Sequence, residues 1–169
     1  MTTNDPTLSA PSPDHAIGET RILTVREVRY FRVTVNALFD KLDEVLDPLI
    51  VKLEQAQAAA GIAALGPVII RYYPTGEPSI YRMDIGVPVK DDVAAAGDAE
   101  IEVLPSIRCA ALLVWGSLAY IGDAYGALNK GIADAGLVNR GEGREWHLHF
   151  EGDASSNNVI LLQLEVVDA

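Results

Sequence analysis

Apolar positions change their period along the chain, and the changes divide it into elements. Between Ile22 and Val35, β-branched and aromatic residues dominate, which predicts a strand. From Leu38 the spacing becomes helical, with Leu38, Phe39, Leu42, Val45, Leu46, Leu49, Ile50 and Leu53 on one stripe. Asn36 is the predicted N-cap, Pro48 (with Asp47 before it as a cap) a predicted kink or restart, and Gly61 the predicted end. Two further apolar runs, Val68 to Tyr73 and Ile80 to Val89, flank Pro74-Thr75-Gly76-Glu77-Pro78, a hairpin pattern. The first unit therefore reads β-α-β-β.

The same order then recurs. Ile101 to Trp115 is strand-like, with an irregularity expected at Pro105. Ser117 to about Ala135 is helix-like, with Leu118, Ile121, Tyr125, Leu128 and Ile132 as its stripe and Gly136 at its end. Glu145 to Phe150 and Val159 to Val167 read as strands separated by a turn over Gly152 to Asn158. The second β-α-β-β unit follows the first by roughly 75–80 residues, longer than common solenoid repeats. Two copies predict an α+β fold of two pseudo-symmetric units with antiparallel sheets, helices on one face and a ligand cleft between the units. The expected boundaries are a disordered tail over residues 1–18, a first unit over 19–90, an acidic, alanine-rich linker over 91–100, and a second unit over 101–169.

Composition narrows the function. At 169 residues the chain is one domain, or two lobes sharing a core, large enough to fold without staples. Its single cysteine, Cys109, excludes an internal disulfide and lies in an apolar run, where an unreactive buried thiol is expected. Lys and Arg number 13 against 24 Asp and Glu, a net charge of -11. Phosphate backbones would be repelled over most of such a surface, so no direct nucleic-acid binding is expected. The same field attracts cations. No apolar run approaches the ~18–20 residues that span a bilayer, and residues 1–17 lack the pattern of a secretory signal, so no membrane contact and a cytoplasmic location are expected. Exposed edge strands leave a monomer or weak dimer as the expected state.

Alternation along the strands suggests where chemistry collects. Trp146, Leu148 and Phe150 share one face of their strand, expected to pack on the helix, while Glu145, His147 and His149 share the other. Tyr81, Met83, Ile85 and Val87 likewise form an apolar face, with Arg82 and Asp84 opposite. A cleft on the face away from the helices is thus expected to carry Glu145, His147, Asp84 and Tyr72, with Trp115, Tyr120 and Tyr125 as candidate aromatic walls. Asp84 alternatively pairs with Arg82 or Arg71. No third ligand is spaced to complete a metal site around His147 and His149, and no phosphate loop, nucleophile elbow or zinc-protease motif is present, so neither metal nor cofactor is expected.

Several segments, in this order, resemble the GyrI-like (DNA gyrase inhibitor-like) small-molecule-binding domains, the effector-binding domains of multidrug-responsive transcription activators. They are Gly66-Pro67-Val68-Ile69-Ile70-Arg71-Tyr72-Tyr73, Met83 to Val89, Trp115-Gly116-Ser117, Asp123 to Leu128, and Arg144-Glu145-Trp146-His147. The resemblance implies paired units around a pseudo-dyad with a bulky, apolar, often cationic ligand between them. It also implies that Glu145, matching the glutamate of that family's R-E-x-Y strand, faces the ligand. His147 stands where the motif has tyrosine, and Leu118 where a second family tyrosine is found, with Tyr120 nearby. Regulatory relatives carry an N-terminal helix-turn-helix domain, for which the short head of this chain offers no evident room. Some stand-alone members hydrolyse cyclopropane-containing alkylating compounds. Two expectations follow. One is a binding module that senses or sequesters hydrophobic cations. The other is a hydrolase in which Glu145 activates water while a tyrosine or His147 polarises the leaving group.

Overall fold

A computed structural model describes residues 15–169; the expected tail lies outside the described residues up to position 14. Residues 15–17, assigned to that tail by composition, instead form a short strand, because their backbone finds an open edge to pair with. The elements are β1 (His15–Ile17), β2 (Arg21–Val25), β3 (Val28–Leu38), α1 (Leu42–Ala60), β4 (Val68–Pro74), β5 (Ile80–Pro88), β6 (Glu100–Leu104), β7 (Ile107–Gly116), α2 (Ile121–Asp134), β8 (Leu137–His149) and β9 (Val159–Asp168). A single 3-10 turn precedes each helix, at Phe39–Lys41 and at Leu118–Tyr120. The repeat is strict through the helix starts. β2 and β6 begin at Arg21 and Glu100, β3 and β7 at Val28 and Ile107, α1 and α2 at Leu42 and Ile121, each pair 79 residues apart.

The two units share one antiparallel sheet rather than owning one each. Its order is β1-β7-β9-β8-β4-β5-β3-β6, with β2 also on β7. Each unit's first strand therefore crosses to the other unit's edge: β2 pairs with β7 and β6 pairs with β3. The long strands expected over 22–35 and 101–115 are each broken accordingly, at Arg26-Glu27 and at Pro105-Ser106.

Those two short breaks dictate the shape of the sheet. β6 and β7 lie six strand spacings apart in the order, about 29 Å if the sheet were flat. The link from Leu104 to Ile107 has three Cα steps, which reach about 11 Å at most. The sheet must curl until its ends approach, and the pseudo-equivalent link between β2 and β3 demands the same. The helices lie on the outer face, and the inner face closes on itself. This explains why Tyr30, Ile69 and Leu104 are fully buried although no helix covers them.

Outside, Leu42, Leu49 and Leu53 of α1 pack on Phe31, Val33, Ile70, Met83 and Ile85. Ala124, Leu128 and Ile132 of α2 pack on β7 and β9. Ser117 caps the 3-10 turn that runs into α2, its hydroxyl accepting from the Ala119 N–H at 3.2 Å, whereas α1 departs from its predicted start. Asn36 lies within β3 and accepts a hydrogen bond from Arg82 Nε instead of capping, and α1 runs unbroken through Pro48, whose ring faces solvent. Gly61 ends α1 in the left-handed conformation, φ 63°, which favours glycine. Inside, Cys109 is buried, and burial pushes its thiol up to about 11, out of the reactive range.

The seam between the units is the β4–β8 pair. Arg71 sits directly opposite Arg144, and the strings Arg71-Tyr72-Tyr73 and Arg144-Glu145-Trp146 occupy matching places in the two units. Like charges directly opposite are unfavourable. Here Glu142 lies between them: Arg71 donates to it twice, at 3.0 and 2.9 Å, and Arg144 Nε donates at 2.8 Å. Arg144, fully buried, also reaches across the interior to the Pro105 carbonyl at the β6–β7 corner, 2.8 Å.

Candidate functional site

The seam presents its other face to the outside, between the two helices. On β4, Ile70 and Tyr72 point outward; on β8, Gly143, Glu145 and His147 do, with Ile70 opposite Glu145 and Val68 opposite His147. The expected faces of β8 are thus reversed. Trp146 points into the interior, packs on Tyr30, Ile69 and Leu104, and donates its indole N–H to Gln163 at 3.0 Å. Leu148 and Phe150 are exposed. Because the inner face is as apolar as the outer one, hydrophobicity along β8 does not identify the helix side.

Between the helices and over the seam lies a cleft of about 530 Å³. Phe39, Leu42 and Leu46 form one wall, Tyr72, Tyr81 and Met83 the floor, and Tyr125 and Asn129 of α2 the other wall, with Glu145 at the base. Leu46 and Tyr125 are 79 residues apart and so face each other as pseudo-equivalents. Asp43 and Glu145 are the charged lining residues, and no Lys, Arg or His is among those that line the cleft.

Three of its polar groups form a chain. Tyr72 donates its hydroxyl proton to Tyr125 Oη at 2.5 Å, and Tyr125 donates to Glu145 Oε1 at 2.5 Å. Burial, then the Glu145 charge, pushes both phenols above their ordinary range, so both remain neutral donors at physiological pH. Gly143 makes room for this arrangement: a Cβ there would lie 2.2 Å from Tyr72 Cζ. Just before it, Gly141 adopts φ 100° at an irregularity in the β8–β9 register, with Pro74 packed 3.3 Å from where a Cβ would be.

Of the residues singled out from the sequence, Tyr72, Tyr125 and Glu145 meet here. His147 is on the same outward face, beside the cleft rather than lining it, its side chain 10% exposed and its Nε2 3.5 Å from Glu145 Oε2. Asp84 is elsewhere. It is fully buried on the inner face, 2.7 Å from Arg32 Nη1 and accepting from Tyr30 Oη at 2.9 Å, because its side of β5 is enclosed by the curled sheet. Trp115 also points away from the helices, into a separate groove with Leu23 and Leu161. Tyr120 stacks on His15, ring centroids 3.8 Å apart. His149 pairs with Glu151 in the exposed turn, 2.9 Å. The polar and aromatic cleft residues that the sequence did not single out are Phe39, Asp43, Tyr81, Asn129 and Asn139. Tyr81 already shared the helix side with Met83 by alternation, a signal that counts once the cleft is placed on that side. Among the described residues, no three His, Cys, Asp or Glu side chains gather closely enough to hold a metal, and no helix is long and apolar enough to cross a membrane.

No family model and no curated protein matches the chain in sequence. Solved structures match in fold. The chain is similar to the C-terminal domain of EcmrR, with a TM-score of 0.69 and 16% identity over 90% of this chain and 99% of that one. It is similar to SAV2435 bound to tetraphenylphosphonium, with a TM-score of 0.68 and 11% identity over 88% of this chain and 94% of that one. A hydrolase from Listeria innocua matches at a TM-score of 0.54 and 11% identity over 94% of each chain. The fold is α+β and GyrI-like. The cleft of this chain lies on the outer face of the sheet, between the two helices.

Proposed function

We propose that the chain binds bulky, apolar cations in the cleft over the seam, for sensing or sequestration. The observation that carries this reading is Glu145: a carboxylate at the base of a cleft walled by Phe39, Tyr72, Tyr81 and Tyr125, with no basic side chain among the lining residues. A cation entering there gains Coulomb attraction to the carboxylate and attraction to the aromatic faces. SAV2435, of similar fold, holds tetraphenylphosphonium, an ion of this type. A cleft of about 530 Å³ is within the range of small-molecule sites.

Titration calorimetry with tetraphenylphosphonium is the test, run on the wild type and on Glu145→Gln. The variant keeps the side-chain shape and removes the charge. Its affinity is expected to fall at least about tenfold, ~1.4 kcal/mol. Equal affinities for the two proteins would overturn the assignment of Glu145 as the anchor.

The contact between Tyr125 and Glu145 favours a second reading, hydrolysis of strained-ring alkylating compounds. A proton donor and a carboxylate base adjoin in one cleft. Glu145 would take a proton from water as its oxygen attacks the ring carbon, and a tyrosine would protonate the leaving group. Under this reading Glu145→Gln abolishes turnover while a neutral ligand of the same shape still binds, which separates it from the first.

A further inference from the structure

The two oxygens of Glu145 are unlike. Oε1 accepts the Tyr125 hydroxyl at 2.5 Å, whereas Oε2 is the oxygen left over for a ligand. Facing Oε2 at 3.5 Å, outside hydrogen-bond geometry, is Nε2 of His147. That nitrogen is buried and has no hydrogen-bond partner. Buried polar atoms are nearly always paired, so an orphan facing a carboxylate oxygen marks a hydrogen bond that is not made. An imidazolium would present an N–H to Oε2, and a short approach would complete the pair.

Building on the cation-binding reading above, we propose that His147 is an internal competitor for the ligand. Once it takes up a proton, the imidazolium claims Glu145 Oε2 and the bound cation leaves, so the cleft exchanges one proton for one cation. Histidine 147 thereby decides which cations the cleft retains: those that bind more strongly than a proton on this imidazole at the prevailing pH.

The surroundings leave His147 with Glu145 as its electrostatic partner. Its cross-strand neighbours are Val68 on β4 and Ile160 on β9, both uncharged. Phe150 meets its ring edge-on, centroids 5.2 Å apart. From α2, Tyr125 bonds Glu145, and from β4, Tyr72 bonds Tyr125; both phenols are neutral. Among the described residues, no Lys or Arg forms an ion pair with Glu145, and Asp43 stands on the far wall on α1. The other two histidines are occupied elsewhere, His15 against Tyr120 and His149 with Glu151.

Tetraphenylphosphonium is a suitable probe because it cannot itself titrate. Its affinity is measured between about pH 5 and pH 8, where imidazole is the side chain that ordinarily changes charge. On the acid side, wild-type affinity is expected to fall up to about tenfold per pH unit, the limit for one proton exchanged per ligand. Affinity in His147→Gln is expected to be flat across the same window. A flat wild-type profile, or a slope that survives in His147→Gln, would overturn the proposal. A second measurement does not depend on that variant folding. The imidazole of His147 is titrated by NMR with and without saturating tetraphenylphosphonium, and reciprocity requires the ligand to move its midpoint to lower pH. An unmoved midpoint also sinks the proposal. If the probe binds at no pH, it is the cation-binding reading itself that falls, a result distinct from binding without pH dependence.

Discussion

At the scale of single residues, the cleft depends on an absence as much as on a side chain. Tyr72 lies across Gly143 of the neighbouring strand, where any Cβ would overlap its ring. Gly143→Ala must therefore displace Tyr72 and break its bond to Tyr125. The expected cost is about 1–3 kcal/mol, typical of forcing a carbon into a packed site, together with weakened cation binding. Urea unfolding and calorimetry on the one variant measure both, and unchanged stability would mean that the ring has room to move. Residue chemistry was partly legible in the sequence. Tyr72, Tyr125 and Glu145 carry polar tips on apolar stretches and converge in space. Trp115 and Tyr120 carry the same signal and do not: Trp115 lies on the strand face away from the helices, and Tyr120, at the end of a 3-10 turn, stacks on His15.

At the scale of elements, the β4–β8 seam joins two strands that each bring an arginine to the same point. Glu142 lies between them, and burial alone would raise its pKa. The hydrogen bond from Arg71 and the charges of Arg144 and Arg71 prevail and hold it below the usual carboxylate range. The sign of the linkage follows: its contribution is complete above the unfolded-state value of about 4.3 and is lost as the pH falls through the lower folded value. Glu142→Gln leaves two buried guanidinium groups short of a counter-charge. It should cost about 3–5 kcal/mol near neutral pH, and the loss of stability on acidification below pH ~4 should be shallower than in the wild type. Thermal unfolding at a series of pH values checks both. The sequence offered Arg71 as a partner for Asp84, and the two lie 3.7 Å apart, but it gave no sign of Glu142 between the two arginines. They are enclosed only because the sheet curls. The breaks at Arg26-Glu27 and Pro105-Ser106 that force the curl are two residues long, and Pro105 alone gave a local sign of one.

At the scale of the whole molecule, the sequence repeat foretold two units but not their exchange of strands. Pairing of β2 with β7 and of β6 with β3 is set by partners 68 to 90 residues away, beyond any local pattern. One consequence is mutual dependence. Made separately, residues 15–90 lack the strand that covers β3, and residues 91–169 lack the one that covers β7. Each half should show little ordered structure by circular dichroism, and mixing them should restore both the native spectrum and the cleft. A half that folds cooperatively alone would contradict this account.

The same exchange of strands bears on descent. A gene encoding a single unit would specify a chain whose first strand finds its place only on another molecule, so the ancestral protein is best pictured as a symmetric homodimer. In such a dimer every substitution appears twice, and the two positions flanking the axis carry identical residues. Fusion into one reading frame would remove that constraint. Tyr72 and Glu145, at matching positions in the two units, differ as only a fused chain allows, placing a phenol on one side of the cleft and a carboxylate on the other.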